Sequence, residues 1–309
     1  MAVVAVMRAA AESSEAIVPN LAAVVLLGGS VRPRKLSEVI GRPMFELPLR
    51  PGFTILDHWC REVASLGDGA HCMKLRVMME RAAAEPLVPA TQADGVDLSI
   101  ERDPFEYRGT GGVLRDLAVA YENDELLLVA NAAQILIQPL KDLVAHLAGM
   151  RADVAVLSHL DGTVGGTYLI RCGVLRELPA SGFLDLKEQA LPAIAAQHIV
   201  RVYESRQTAT LPVRTLSDYT TALRWHHRLL SGRSAQPDPL EEDLEPAFAL
   251  VEPGAEVHPA ARLHDSVVLR GGRVEADATL VHCIVCPGGV VRRGRMIVDE
   301  IVAPGHRAD

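Results

Sequence analysis

A repeat of 17 residues near the C-terminus constrains the fold of this chain more than any other feature. The tetrapeptides VEPG, VLRG, VCPG and VAPG recur at a constant spacing of 17. One turn of a left-handed parallel β-helix has three sides of about six residues, or about 17–18 residues in all. The repeat therefore predicts a left-handed β-helix with its valines stacked inside and its glycines at the corners. The repeated residues are Val251, Val268, Val285 and Val302, and Gly254, Gly271, Gly288 and Gly305.

The chain before this repeat follows a different pattern. Short apolar runs such as Ala22–Leu27 and Leu126–Ala130 alternate with segments of helical periodicity such as Ile55–Leu66. Continuous apolar strands between amphipathic helices are typical of a sheet that is covered on both faces. The pattern predicts an α/β domain.

A stretch rich in proline and acidic residues separates the two patterns. SGRSAQPDPLEEDLEP holds three prolines and five acidic residues, a composition that favours a linker over a packed element. The predicted organisation is an N-terminal extension (1–20), an α/β domain (21–230), a linker (231–246) and the β-helix (247–309).

Composition narrows the possible partners. The formal net charge is −8, from 31 basic and 39 acidic residues, which disfavours general binding to nucleic acid. The longest apolar runs fall short of the roughly 20 residues that span a bilayer. The first residues lack a basic start and include Arg8, Glu12 and Glu15, unlike a secretory signal. We expect a cytoplasmic protein without nucleic-acid or membrane partners.

Two glycines follow the first predicted strand, and cations follow the glycines. Gly28 and Gly29 allow the backbone to approach a ligand closely, and consecutive N–H groups there can form an anion-binding nest. Arginine matches the oxygens of a phosphate with its planar fork. The segment predicts a phosphate-binding loop, and a tight turn flanked by solvated cations is the alternative. The cations are Arg32, Arg34, Lys35 and Arg42.

Further segments follow this loop in a definite order. Gly41-Arg42-Pro43 comes first, and then Gly109-Thr110-Gly111-Gly112 and the strand that ends in Asn131-Ala132-Ala133. GGTYLI, LDLKEQALPAI and RTLSDYTTAL complete the series. Together they resemble the sugar-nucleotide pyrophosphorylases, nucleotidyltransferases that make an NDP-sugar and pyrophosphate from a nucleoside triphosphate and a sugar 1-phosphate. A hexapeptide-repeat tail is common in that family.

The resemblance implies a fold and a set of site residues. The fold is a Rossmann-like, GT-A-like nucleotidyltransferase domain with a mixed central sheet. Arg32 and Arg42 would be the catalytic residues, with Arg42 in the place of the family's lysine. A nucleoside triphosphate or an NDP-sugar, and a sugar phosphate, would be the ligands. The nucleotide would contact Gly28, Gly29, Arg34, Gly109, Thr110 and Asn131.

The sequence departs from the family at both metal positions. The family holds Mg²⁺ with two aspartates, and here Ala133 and Pro212 stand in their places. Neither side chain offers the oxygen that Mg²⁺ requires. We therefore predict no metal ligand at these positions and a need for Mg²⁺ only if the protein is active. In that case Asp124, Glu125 or Asp185 could supply a relocated carboxylate.

The tail also carries residues that could bind a metal or catalyse a reaction. Cys283 and Cys286 could indicate zinc or redox chemistry, but the repeat register explains both, so we interpret them as structural. A second group consists of histidines, and in hexapeptide acyltransferases a histidine acts as the general base. We interpret them instead as solvated residues. They are His258, His264 and His282 in the tail, and the pair His226-His227 before the linker.

Three functions follow from these observations. The first is a sugar-1-phosphate nucleotidyltransferase. The alternative is a catalytically degenerate nucleotide- or sugar-nucleotide-binding regulatory or assembly subunit, which the loss of both aspartates favours. A hexapeptide acyltransferase is the second alternative. Because a short β-helix leaves open ends and strand edges, we expect the tail to pack on the first domain or on another copy in a homo-oligomer.

Overall fold

The computed structural model describes residues 20–28, 35–67, 72–87, 95–103, 108–160, 162–230 and 248–305. Residues 1–19 of the predicted extension and the whole predicted linker lie outside this part of the chain. So do Gly29, Arg32 and Arg34 of the predicted phosphate loop.

The first unit contains strands and helices in alternation. Its strands are β1 (Leu21–Leu27), β2 (Pro48–Arg50), β3 (Phe53–Thr54), β4 (Met73–Met79), β5 (Val96–Arg102), β6 (Leu126–Asn131), β7 (Gln134–Leu136), β8 (Val154–His159), β9 (Val164–Arg171), β10 (Val200–Ser205) and β11 (Thr210–Pro212). Its α-helices are α1 (Lys35–Ile40), α2 (Ile55–Ala64), α3 (Gly109–Ala118), α4 (Leu140–Gly149), α5 (Cys172–Arg176), α6 (Leu191–Ala195) and α7 (Leu216–Leu230). A 3₁₀ turn (Met44–Glu46) and a π-helical turn (Leu186–Ala190) complete the set. No helix in the described ranges is both long and apolar enough to cross a bilayer.

A seven-stranded sheet forms the centre of this unit. The strand order is β10-β8-β9-β6-β1-β4-β5, and β9 runs antiparallel to both of its neighbours while the other pairs are parallel. The α/β class and the mixed central sheet are therefore confirmed. Strands β7 and β11 pair with each other in a separate two-stranded ribbon.

The central sheet is buried on both faces. Val24 and Leu26 of β1 belong to a core that also contains side chains of α2, α4 and α7. Ala23 and Val25 point the other way, into a core shared with α3, α5 and α6. Burial on both faces explains why the strand sequences are continuous apolar runs rather than alternating ones.

The C-terminal region is a parallel β-helix with three faces. Successive coils pair Val251 with Val268, Val268 with Val285, and Val285 with Val302. Val268 and Val285 are fully buried, and the repeated glycines take φ values of 75° to 88°. The predicted stacking of valines and the corner position of glycines are confirmed. The strands are β12 (Ala249–Val251), β13 (Glu256–Val257), β14 (Arg262–His264), β15 (Ser266–Val268), β16 (Arg273–Val274), β17 (Thr279–Val281), β18 (Ile284–Val285), β19 (Val290–Val291), β20 (Met296–Val298) and β21 (Ile301–Val302).

Both cysteines of the tail lie inside this packing. Cys283 and Cys286 are buried free thiols. Burial raises the pKa of both thiols, to about 11 for Cys286. Because the thiolate is the reactive and metal-binding form, these cysteines are poor ligands and nucleophiles, as a structural role requires.

Close coil packing makes one glycine of the tail essential for stability. A Cβ on Gly289 would lie 2.3 Å from the carbonyl oxygen of Val302 on the next coil. We expect Gly289→Ala to destabilise the protein by about 1–3 kcal/mol, the usual cost of overpacking. Thermal unfolding followed by circular dichroism measures the effect. Gly149→Ala is the control, since no atom lies within 4 Å of its Cβ position. Equal melting temperatures for the two variants would contradict the coil packing.

The β-helix packs on the first unit. Leu250, Val267, Leu269 and Ile284 join the same apolar core as α2, α4 and α7. Polar contacts accompany this core, notably the ion pairs Arg42–Glu252 and Arg224–Asp265. Of the two packing partners expected for the tail, the structure shows the first domain.

Candidate functional site

Two of the predicted nucleotide-binding residues lie side by side at one edge of the sheet. Asn131 ends β6 opposite Leu27, and Gly28 follows Leu27 directly. Ligands of open α/β sheets bind at the carboxyl ends of the parallel strands, and this is such an edge. The N–H of Gly28 donates to the carbonyl of Met78 at 2.8 Å. An anion nest would therefore depend on the N–H groups after Gly28.

The loop after Asn131 is shaped by its own side chain. The side-chain oxygen of Asn131 accepts a hydrogen bond from the N–H of Ala133 at 2.9 Å. Such a local bond closes a tight turn between β6 and β7. Asn131 therefore has a structural role here in addition to any contact with a ligand.

The two positions expected to hold the metal are brought together by the fold. Pro212 of β11 pairs with Gln134 of β7, and the N–H of Val213 donates to the carbonyl of Ala133 at 2.8 Å. This closeness agrees with the resemblance, in which two aspartates share one Mg²⁺. Ala133 is buried, and neither it nor Pro212 offers a side-chain oxygen.

Two of the three carboxylates considered as replacements lie too far away to fill this role. Asp124 and Glu125 precede β6, so they lie at the opposite end of that strand, about 20 Å from Asn131. Asp185 caps the π-helical turn, where its Oδ1 accepts the N–H groups of Lys187 and Glu188. The expectation of a relocated ligand at Asp124 or Glu125 is wrong because of their place in the sheet.

The segment predicted to contact the nucleotide base is in contact with the π-helical turn and the residue Leu184 before it. Gly109 begins α3 with φ 71°, and a Cβ there would lie 2.5 Å from the carbonyl oxygen of Leu184. The same carbonyl accepts the N–H of Gly111 at 2.8 Å. The hydroxyl of Thr110 accepts the N–H of Leu186 at 3.0 Å. These polar groups hold the π-helical turn against α3 and are not turned toward open space.

Arg42 lies elsewhere than predicted. Its guanidinium is buried, with Nη2 2.9 Å from Oε1 of Glu252 in the β-helix. Oε2 of Glu252 also accepts the N–H of Arg270, so the carboxylate is held from two sides. Breaking a buried pair of this kind costs about 3–5 kcal/mol. Arg42 therefore joins the two units, and a role at the phosphates does not fit this position.

A large cleft opens beside the ribbon of β7 and β11. Its volume is about 970 Å³. The turn between β8 and β9, the loop between β10 and β11, and one face of α7 form its walls. Among the lining residues that the structure describes, four are arginines and none is Asp or Glu. The arginines are Arg206, Arg214, Arg224 and Arg228.

Helical spacing explains part of this arrangement. Thr221, Trp225 and Arg228 recur at three- and four-residue intervals on α7, so they share one face of the helix. Arg206 comes from the loop before β11, and Arg214 follows the strand that carries Pro212. The cleft was not predicted from the sequence, since only the packing of α7 against the ribbon brings these cations together.

The cleft is electropositive within an acidic protein. In the part of the chain that the structure describes, neither Arg206 nor Arg214 forms an ion pair. The pKa of Lys187 is lowered by burial and then by the nearby guanidinium of Arg214. A concave surface lined by one sign of charge concentrates counter-ions. Chemically, this arrangement can bind the oxygens of a phosphate or a pyrophosphate group.

One histidine of the predicted solvated pair is in fact buried. His226 is 1% exposed and its ring stacks on Phe53 with centroids 5.9 Å apart, while His227 is exposed. Burial, together with the nearby guanidinium groups of Arg61 and Arg50, lowers the pKa of His226 to about 4. The interpretation as a solvated pair is wrong for His226, because α7 turns this side chain into the core.

Comparison with known proteins rests on structure alone. No protein-family model matches the chain, and no curated protein matches it. A candidate glucose-1-phosphate thymidylyltransferase from Bacillus anthracis, crystallised with sucrose, superposes with a TM-score of 0.52 and 14% identity over 66% of this chain and 94% of that chain. HddC from Yersinia pseudotuberculosis gives a TM-score of 0.48 and 14% identity over 66% and 99% of the two chains.

A mycobacterial structure has a higher identity and a lower structural similarity. The homolog of Mycobacterium tuberculosis rv0371c from mycobacterium sp. strain JC1 is 23% identical over 67% of this chain and 97% of that chain, with a TM-score of 0.43. The superposition with the thymidylyltransferase has a TM-score above 0.5, and at 14% identity it shows similarity of fold alone. The chain therefore has the mixed-sheet fold of the sugar-nucleotide nucleotidyltransferases, followed by a C-terminal parallel β-helix.

Proposed function

We propose that this protein is a catalytically degenerate nucleotidyltransferase-fold protein that binds a sugar phosphate or an NDP-sugar and acts as a regulatory or assembly subunit. The observation that carries the proposal is the pairing of Ala133 with the strand of Pro212. The two positions that would share a magnesium ion are adjacent, and neither side chain has a ligand oxygen.

The energetics of nucleotidyl transfer support this choice over an active enzyme. Phosphoryl chemistry depends on positioning and on neutralisation of developing charge, for which Mg²⁺ supplies several kcal/mol. Each 1.4 kcal/mol changes the rate about tenfold. The backbone carbonyl of Ala133, which accepts the N–H of Val213, carries no charge and so cannot replace the two carboxylates.

The arginine cleft supports binding without metal. A guanidinium that donates to a charged oxygen contributes about 1.5–3 kcal/mol per contact. Arg206 and Arg214 provide two such groups in the cleft that Pro212 also lines, and no carboxylate stands among its described lining residues. Arginine side chains would thus neutralise the phosphate charge in place of a magnesium ion.

The cleft lies next to the edge of the sheet where a nucleotide is expected. A Cβ on Gly166 would lie 3.2 Å from Oε1 of Gln134, which lines the cleft, and 3.9 Å from Cβ of Asn131 at the sheet edge. A sugar phosphate in the cleft could therefore continue into a nucleotide beside Gly28 and Asn131. Gly29, Arg32 and Arg34, which lie outside the described residues, stay the predicted phosphate contacts of that nucleotide.

The test combines binding with turnover. Isothermal titration calorimetry with sugar 1-phosphates, NDP-sugars and inorganic pyrophosphate, each with and without Mg²⁺, measures affinity. A pyrophosphate-release assay with all nucleoside triphosphates measures transfer. We expect binding that changes little with Mg²⁺ and weakens with added salt, because charge pairing dominates it. We expect no pyrophosphate release above the rate without protein.

Two results would overturn the proposal in different ways. Magnesium-dependent release of pyrophosphate would establish a working nucleotidyltransferase with ligands outside positions 133 and 212. Absence of binding by every phosphorylated compound would leave a scaffold without a ligand. A cleft variant, Arg206→Ala, separates binding in the cleft from binding elsewhere.

A further inference from the structure

Three metal-ligating side chains meet on one edge of the β-helix, apart from the positions discussed above. His264, Asp265 and His282 each offer one ligand atom, and these atoms all lie within 4.8 Å of one another. Nδ1 of His264 and Nε2 of His282 are each 3.9 Å from Oδ2 of Asp265. In a tetrahedral zinc site with bonds of about 2.0–2.2 Å, ligand atoms lie about 3.4 Å apart. Small side-chain rotations would close the set around an ion.

The coil repeat places these residues in a column. Asp265, His282 and Asp299 occupy equivalent positions 17 residues apart, with φ values of 45°, 52° and 57°. Residues other than glycine take this conformation at a cost of about 1–3 kcal/mol. Side chains are thus kept at a corner where glycine would be less strained, and each one faces its neighbour in the next coil.

Hydrogen bonds orient His282 as a ligand. Its Nδ1 lies 3.0 Å from Oδ1 of Asp299, and its Nε2 lies 3.0 Å from Nη2 of Arg224. Because a guanidinium can only donate, Nε2 carries the lone pair and Nδ1–H donates to Asp299. A histidine that binds a metal through one nitrogen commonly donates its other N–H to a carboxylate in this way.

Asp265 is oriented in a similar manner. Its Oδ1 accepts the N–H of Phe248 at 3.0 Å, which leaves Oδ2 directed at His282 and Arg224. His264 is exposed, so its ring can turn and solvent can reach the fourth coordination position. Two imidazole nitrogens, one carboxylate oxygen and one water form a donor set that suits Zn²⁺.

The guanidinium of Arg224 already contacts two of the three proposed ligands. Nη2 of Arg224 is 2.6 Å from Oδ2 of Asp265 and 3.0 Å from Nε2 of His282. We propose that His264, Asp265 and His282 form a Zn²⁺ site in which the guanidinium of Arg224 substitutes for the metal ion and is displaced when zinc binds.

The test uses the untagged full-length chain and ZnCl₂ in competition with a chromogenic chelator. One equivalent of zinc should bind the wild-type protein, and Arg224→Gln should bind it more tightly because the competing cation is gone. The double variant His264→Ala/His282→Ala should lose this binding, and Asp299→Ala should weaken it about 10- to 100-fold. His258→Ala is the control, since His258 is an exposed histidine of the same β-helix outside the cluster.

Cobalt spectra identify the ligands independently. Co²⁺ bound by nitrogen and oxygen should show visible bands without the near-ultraviolet thiolate band that the exposed Cys72 would produce. Circular dichroism confirms that each variant is folded. The proposal fails if neither the wild type nor Arg224→Gln binds zinc, or if the double histidine variant binds zinc as the wild type does.

Discussion

Replacing Arg206 and Arg214 together with alanine should reduce the affinity for inorganic pyrophosphate by about 10²- to 10⁴-fold. Each arginine contributes about 1.5–3 kcal/mol when it donates to a charged oxygen, and about 1.4 kcal/mol corresponds to a factor of ten. Both side chains line the cleft, and neither has a carboxylate partner among the described residues, so their removal leaves no buried charge unpaired. Titration calorimetry at low and at physiological salt measures the loss.

Controls distinguish this effect from a general change in charge. Arg262→Ala removes an exposed cation of the β-helix that is not among the described lining residues of the cleft, and it should leave affinity within about twofold, since exposed charges without direct contact to the ligand are screened by salt. The conservative double variant Arg206→Lys/Arg214→Lys keeps the charge and loses the planar fork, so we expect an intermediate loss. Equal affinities of the alanine double variant and the wild type would exclude the cleft as the phosphate site.

Acid should unfold the protein through two buried histidines. Burial lowers the pKa of both His58 and His226 to about 4, from an ordinary value of 6.5. Below pH 6.5 the unfolded chain takes up protons at these rings, whereas the folded protein does so only near pH 4. Stability is therefore fully present above pH 6.5 and is lost as the pH falls toward 4. The expected loss is about 3 kcal/mol for each ring, a large part of the 5–15 kcal/mol typical of proteins.

A substitution at one of these rings tests the assignment. His226→Leu should remove about half of the pH-dependent loss, because leucine fills a similar volume and does not titrate. His227→Leu is the matched control on the exposed side of the same helix and should keep the full dependence. Urea unfolding at several pH values between 4 and 7 gives the free energies. An unchanged dependence in His226→Leu would show that other groups control acid stability.

The local parts of this structure follow from short-range patterns. Valine and glycine at every seventeenth position predict the coils of the β-helix, because the side-chain direction of a strand and the φ of a corner depend on a few neighbouring residues. Apolar runs predict β1 and β6 for the same reason, within one residue at their ends. The loss of metal ligands at Ala133 and Pro212 could also be seen in the sequence, since it depends on residue identity alone.

The ribbon of β7 and β11 was not predicted from the sequence. Each of these strands has only three residues, too few for a periodicity to show. Their pairing is what places Pro212 beside the loop of Ala133. The same pairing forms a wall of the arginine cleft.

Only the tertiary structure decided what the charged residues do. In the sequence, Arg42 and Arg214 carry the same guanidinium, yet one is buried against Glu252, 210 residues away, and the other lines the open cleft. Likewise His226 and His227 are neighbours with opposite exposure. The energy of a charge depends on burial and on partners brought close by packing, whereas secondary structure depends on neighbours in the chain. The sequence by itself therefore determined the elements and the missing metal ligands, and the packing of α7 and the β-helix on the sheet decided where the cations lie.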